Sequence, residues 1–143
     1  MAISKTIVTV LLPLLLLSCA NNNNKRSIIY ENYIAQNKLQ SVDKITTFHY
    51  QGWNSLDNRH LIVSSNHKKH YLLTLDSYCV DLDFSHSIII KQSMSHRLSV
   101  FFDSIVIPKN HNSTCRIKAI HVISKEQKNE LTALRKKQLK SSN

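Results

Sequence analysis

An apolar run from Thr6 to Leu17, closing in Leu16-Leu17-Ser18-Cys19 behind a short basic start at Lys5, sets the size of everything that follows. Twelve residues are too few to cross a bilayer as a stable helix, so the run reads as a removable signal, residues 1–18. About 120 residues then remain, enough for one domain and too few for two. A domain of that size buries a real core but still gains from a cross-link.

The end of the signal has three readings, the last an uncleaved anchor. Ser18-Cys19 resembles the lipobox of bacterial lipoproteins, in which cleavage leaves Cys19 as the first residue and the carrier of acyl chains such as palmitate. Ser18-Cys19-Ala20 also fits ordinary small-x-small secretory cleavage, which would release a soluble protein beginning at Asn21. The short signal, the cysteine at its end and the polar Asn21–Asn24 stretch favour the lipobox. Residues 19–26 are then a lipidated cysteine and an Asn-rich tether, and residues 27–143 the domain. Ala20 is not the aspartate associated with inner-membrane retention, so the periplasmic face of the outer membrane is the expected location. Two or more acyl chains hold a protein stably at a membrane, where one does so only marginally.

Two cysteines, Cys79 and Cys115, remain beyond the signal. In an oxidising compartment an even pair reads as a disulfide, with two buried free thiols as the alternative. A bond requires α-carbons within about 7 Å. The chain is basic, +10 overall, falling by one when Lys5 leaves with the signal. Nucleic acid is an unsuitable partner for an envelope protein, which leaves anionic lipid headgroups or acidic envelope polymers as counterparts, or a merely solvated surface. The candidate contacts are Arg116 and Lys118 on an outward strand face, and Arg135, Lys136 and Lys137 on the polar part of the last helix.

Periodicity predicts an α+β domain. A curved antiparallel sheet of five or six strands is flanked by an N-terminal and a C-terminal helix. Ser27 caps a first helix, Ile28 to about Gln40. Ile45–Tyr50 reads as a strand, broken by Gln51–Asn58 with the single glycine of the chain. His60–Ser64 and His70–Leu75 form a hairpin, and Ser87–Lys91 with Leu98–Ile107 a second, turning through Ser93–His96. From Cys115 the alternation puts Cys115, Ile117 and Ala119 inward and Arg116 and Lys118 outward. Ser124-Lys-Glu-Gln127 is a capping box opening a helix to about Gln138, with Leu131 and Leu134 on the sheet.

The order of these pieces resembles an uncharacterised family of small proteobacterial envelope lipoproteins, classed as a domain of unknown function. Trp53, Tyr71-Leu72-Leu73-Thr74-Leu75, Cys79-x-x-Leu82, Phe102-Asp103-Ser104-Ile105-Val106 and Cys115-Arg116-Ile117-x-x-Ile120 carry the likeness. The resemblance implies the compartment and the paired cysteines. It implies no activity.

No motif supplies chemistry on its own. One glycine excludes a Gly-rich phosphate loop and a dinucleotide fingerprint, so no cofactor is expected, and no Gly-x-Ser-x-Gly elbow is present. The histidines His60, His67, His70, His86, His96 and His111 fall in turns and strand ends, where exposure is ordinary. A metal site would need three or four converging ligands, and none is expected. Asp76, Asp81 and Asp83 around Cys79 read as turn and edge carboxylates of a solvated face, with a weak calcium site as the alternative. Asp103 reads as a backbone-bonding aspartate, with a general base beside a histidine as the alternative. The expected function is a non-enzymatic binding or scaffolding module held at a membrane. A small periplasmic hydrolase and a metal-handling lipoprotein are the alternatives.

Overall fold

The structure is a computed structural model describing residues 22–108 and 113–141. Cys19 and His111 lie outside the described residues. In chain order come helix α1 (Asn22–Gln36), strands β1 (Ser41–Val42), β2 (Lys44–Ile45), β3 (Gly52–Ser55), β4 (His60–Ser64) and β5 (His70–Leu75), and a 3-10 turn at Leu82–Phe84. Strands β6 (Ile89–Lys91), β7 (Leu98–Ser99), β8 (Ser104–Ile107) and β9 (Ser113–Ile123) and helix α2 (Lys125–Ser141) complete it. The sheet is a strongly curled, fully antiparallel half-barrel in the order β3-β4-β5-β9-β8-β6. β1 adds to the upper half of β9, and β2 and β7 form a separate ribbon. Two helices flanking a six-strand curled sheet is the α+β architecture that the periodicity predicts.

The sheet is buried on both faces at its centre, because curling closes one face and the helices cover the other. Every residue of β4 and β5 is buried. Leu61, Val63, Tyr71, Leu73 and Leu75 join Ile105, Ile107, Ile117 and Ile120 inside the curl. The alternate residues Ile62 and Leu72 join Tyr30, Tyr33, Leu56, Ile123 and Leu131 beneath the helices. Strands covered on both faces need near-continuous apolar runs, which accounts for Leu61-Ile62-Val63 and Tyr71-Leu72-Leu73.

The hairpin β4–β5 pairs Ser64 with His70 across the turn expected for it. The capping box also forms, with Gln127 N–H donating to Ser124 Oγ at 3.2 Å and Ser124 N–H to Gln127 Oε1 at 2.8 Å. Elsewhere the structure corrects the reading. α1 starts at Asn22, so Ser27 is a buried interior residue rather than a cap, and residues 22–26 are helix rather than tether. Ile28 is exposed and Tyr30 is fully buried in its stead. Beyond Ile45 the chain leaves strand geometry, because Phe48 N–H bonds the His96 carbonyl and His49 N–H bonds Ser65 Oγ instead of a ladder.

Gly52 opens β3 rather than breaking a strand, and a β-carbon there would meet nothing within 4 Å. β6 pairs with β8, but the connection is longer than Ser93–His96, because β7 leaves to pair with β2. Asp103, fully buried, holds that excursion by accepting from Ser93 N–H at 2.6 Å and Ser99 N–H at 2.7 Å. In β9 the register shifts between Thr74 and Leu75, which face Ala119 and Ile117, so Lys118 is the extra residue of a bulge. The phase inverts there. Ala119 turns to the helix side, and Ile120 takes the inward place.

Cys79 and Cys115 are bonded, with α-carbons 5.7 Å apart. The bond closes a loop across a sequence separation of 36, for which chain entropy gives about 4 kcal/mol. The double variant Cys79→Ala/Cys115→Ala is therefore expected to lose about that much unfolding free energy, read from urea midpoints. Reductant should lower the midpoint of the native chain and leave the variant's unchanged.

Candidate functional site

The polar groups of the molecule concentrate where α1 begins, α2 ends and the loop after β5 crosses the sheet. Sequence periodicity places Arg26 four residues before Tyr30 and Arg135 four after Leu131, so both arginines lie on the buried stripes of their helices. Between them stands Asp83, in the 3-10 turn, with its side chain buried. Arg26 Nη1 donates to Asp83 Oδ2 at 2.8 Å and Arg135 Nη2 to Asp83 Oδ1 at 3.0 Å. Arg135 also donates to the carbonyls of Ser55 at 2.6 Å and Asp83 at 3.0 Å, and Arg26 to that of Leu56 at 3.3 Å. One carboxylate thus ties both helices to the loop and to the end of β3.

A second cluster adjoins it. His60, fully buried, has Nδ1 3.1 Å from both oxygens of Asp57 and Nε2 3.2 Å from Glu31 Oε1 on α1. Asp57 Oδ1 also accepts from the N–H groups of Arg59 and His60, at 2.7 and 2.6 Å. Burial opposes the charge of Asp57, yet bonding to His60 and to these N–H groups wins, and its carboxyl titrates below the usual range. Tyr30 donates to the Leu56 carbonyl at 3.2 Å, and burial pushes its phenol upward, with Asp57 adding to the shift.

These arrangements bind the fold, and of their carboxylates only Glu31 is exposed. Both nitrogens of His60 face carboxylates, and no hydroxyl or thiol nucleophile is hydrogen-bonded to it among the described residues. Ser64 Oγ lies 2.8 Å from His70 Nδ1, a nucleophile–base distance. Both residues are buried, however, and they are cross-strand partners of the hairpin. His60 and His70 therefore depart from the exposed setting expected of them, because both project beneath the helices. Among the described residues no group of three or more His, Cys, Asp or Glu side chains is placed to hold a metal ion.

Two surface grooves are present, of which only the second borders the Asp83 junction. One, of about 620 Å³, lies between the helices along Ile29, Tyr33, Glu130 and Leu134. The other, of about 470 Å³, is lined by Trp53, Phe84, His86 and Arg135. Trp53 is partly buried and packs against the core.

The candidate basic residues separate. Arg116 and Lys118 are exposed on β9, at and beside the bulge. Lys136 and Lys137 are exposed on α2, while Arg135 turns inward to Asp83 and forms no patch with them. Asp76 is exposed as read, but Asp83 is not on a solvated face. Its burial was legible only through Arg135, whose spacing from Leu131 puts it on the sheet-facing stripe.

Breaking a buried pair leaves charge stranded, at a cost of a few kcal/mol. Solvent reaching both guanidiniums reduces that cost, so Asp83→Asn is expected to cost about 2 kcal/mol. Arg135→Ala should approach it, and Lys136→Ala or Lys137→Ala should stay within about 0.5 kcal/mol of the native chain. Urea melts of the four variants decide this.

A pH effect follows from the buried histidines. Burial holds His121 below the usual imidazole value, and it lowers His70 likewise with help from Lys128 and Lys125. The unfolded chain then binds protons that the folded chain refuses. Stability is complete above about 6.5, the unfolded value, and falls as pH drops below it. Urea midpoints at pH 7.5 and 5.5 should show this loss, and His70→Gln/His121→Gln should flatten it.

No curated protein and no solved structure matches the chain. A model of a protein family of unknown function (DUF6491) matches residues 2–140, nearly the whole sequence. The chain belongs to that family of unknown function.

Proposed function

We propose that the protein is a lipoprotein of the bacterial cell envelope, anchored through acylated Cys19, whose domain acts by binding or scaffolding rather than by catalysis. The observation that carries the reading is the short apolar run ending in Leu17-Ser18-Cys19. The Cys79–Cys115 disulfide supports it, because such bonds persist in oxidising compartments and are rare in the cytosol. The engagement of His60, Asp57 and Asp83 in holding the fold favours a binding module over a hydrolase.

Anionic lipid or an acidic envelope polymer is the counterpart proposed for the exposed cations. Arg116, Lys118, Lys136 and Lys137 remain candidates for that contact. Arg135 is withdrawn from the set, since its charge already serves Asp83.

Two measurements test the reading. Metabolic labelling with a fatty acid should mark the native chain and not Cys19→Ala; equal labelling rejects the anchor. Binding of the Cys19→Ala domain to vesicles containing phosphatidylglycerol should weaken as salt rises, because exposed charges are screened over about 8 Å at physiological ionic strength. The quadruple variant Arg116→Gln/Lys118→Gln/Lys136→Gln/Lys137→Gln should bind several-fold more weakly with its melting unchanged. Unchanged binding reduces these charges to solvation.

A further inference from the structure

The helices run antiparallel, since Tyr33 bonds Glu130 at one end and Arg26 bonds Gln138 at the other. The start of α1 and the close of α2 therefore share one end of the molecule. That end is also where β3 finishes, β4 starts and β5 finishes, because Arg26 and Arg135 reach the carbonyls of Leu56 and Ser55. The segment 76–84 crosses it and is fastened twice, at Cys79 by the disulfide and at Asp83 by the two arginines.

This braced segment presents apolar side chains to solvent. Tyr78 is 48% exposed, Val80 53% and Phe84 71%, while Cys79, Leu82 and Asp83 between them are buried. Single exposed apolar residues are ordinary, but three within seven positions on a doubly fastened loop form a patch. The Tyr78 hydroxyl is held by Asn58 Nδ2 at 2.9 Å, and Asn58 Oδ1 accepts from Asp83 N–H at 3.1 Å, so the patch is rigid. Exposed Lys25 in α1 and Lys140 in the last turn of α2 stand at the same end, with the exposed carboxylate of Asp76 and the partly exposed one of Asp81 opposing them.

Chain length says what faces this patch. Helix α1 begins at Asn22, so only Ala20 and Asn21 separate it from Cys19. Three Cα–Cα steps span at most about 11 Å. If Cys19 carries the acyl chains, the start of α1 lies within that distance of an atom fixed at the bilayer surface. The headgroup layer of one leaflet is itself roughly 5–7 Å deep. The domain thus has no long tether on which to turn away.

We propose that this end of the domain is seated on the membrane that holds Cys19, with Phe84, Val80 and Tyr78 in the headgroup layer and Lys25 and Lys140 against anionic lipid phosphates. The inference rests on the lipoprotein reading and adds an orientation to it. Tyr78, an aromatic side chain with one polar end, suits the interface, Phe84 and Val80 add apolar area, and each nearby cation adds attraction to an anionic leaflet. The disulfide and the Asp83 pairs then have a purpose beyond stability, since they keep apolar side chains from folding back into the core.

Full-length acylated protein in vesicles of phosphatidylethanolamine and phosphatidylglycerol provides the test. In a Trp53→Phe background, a single tryptophan is placed by Phe84→Trp, by Val80→Trp, or by His67→Trp in the β4–β5 turn at the opposite end of the sheet. Lipid bearing a nitroxide at a shallow position should quench the first two several-fold more than the third, with a blue shift in their emission. Two loop positions keep the test alive if one variant folds poorly. Equal quenching at all three positions, with mass spectrometry showing Cys19 acylated, overturns the seating and leaves the lipoprotein reading standing. Absence of acyl chains on Cys19 overturns both.

Discussion

The Asp83 carboxylate, held between Arg26 and Arg135, is the interaction on which the arrangement of the two helices depends. Taking a carboxylate out of water is unfavourable by several kcal/mol unless its lone pairs are met. Here two guanidiniums meet them, and each also satisfies a backbone carbonyl at the end of β3. The apolar contacts beneath the helices (Tyr30, Leu56, Ile62, Leu72 and Leu131) are non-directional and would tolerate a sliding helix. The ion pairs are not so tolerant. They fix where α1 begins and where α2 ends relative to the sheet, and they fix the loop that carries Asp83.

The disulfide does different work on the same segment. Asp83 acts in the folded state, by direct contact, whereas the bond chiefly limits the freedom of the unfolded chain. It also joins the end of β5 to the part of β9 that extends past β5 and pairs instead with β8. That is the place where the curled sheet changes partners. The bulge at Lys118 lies within the same stretch, so the sheet bends where it is cross-linked.

Local chemistry was legible wherever a residue's neighbours in sequence decide its state. The capping box of Ser124 and Gln127, the β4–β5 hairpin and the inward Cys115 and Ile117 all follow from spacing alone. What was not legible depends on partners distant in sequence. Gly52 reads as a breaker by propensity, yet pairing with Ser64 makes it a strand residue. Ala119 reads as inward until the bulge shifts the phase, and nothing in Ile117-Lys118-Ala119 announces an extra residue. Ile28 is the better core residue by hydropathy, but the stripe that packs is Ser27, Tyr30 and Tyr33, and the Tyr30 hydroxyl finds the Leu56 carbonyl. Asp83 reads as one of three surface acids, because its arginines lie 57 and 52 positions away.

The same contrast bears on function. A catalytic centre needs titratable groups left short of partners and open to a substrate. Here Asp57, His60, Asp83 and Asp103 are buried and bonded to the backbone or to neighbouring side chains, so what they do is hold the fold. On the proposed seating, Lys25 and Lys140 beside Tyr78, Val80 and Phe84 are the groups that meet the lipid. If Cys19 is acylated as proposed, the two residues between it and Asn22 leave such a surface little choice of what it meets. What the structure itself supplies is the bracing: a buried carboxylate and a cross-link hold one end of a small domain in one shape, and the proposed membrane seating is a use to which that shape is suited.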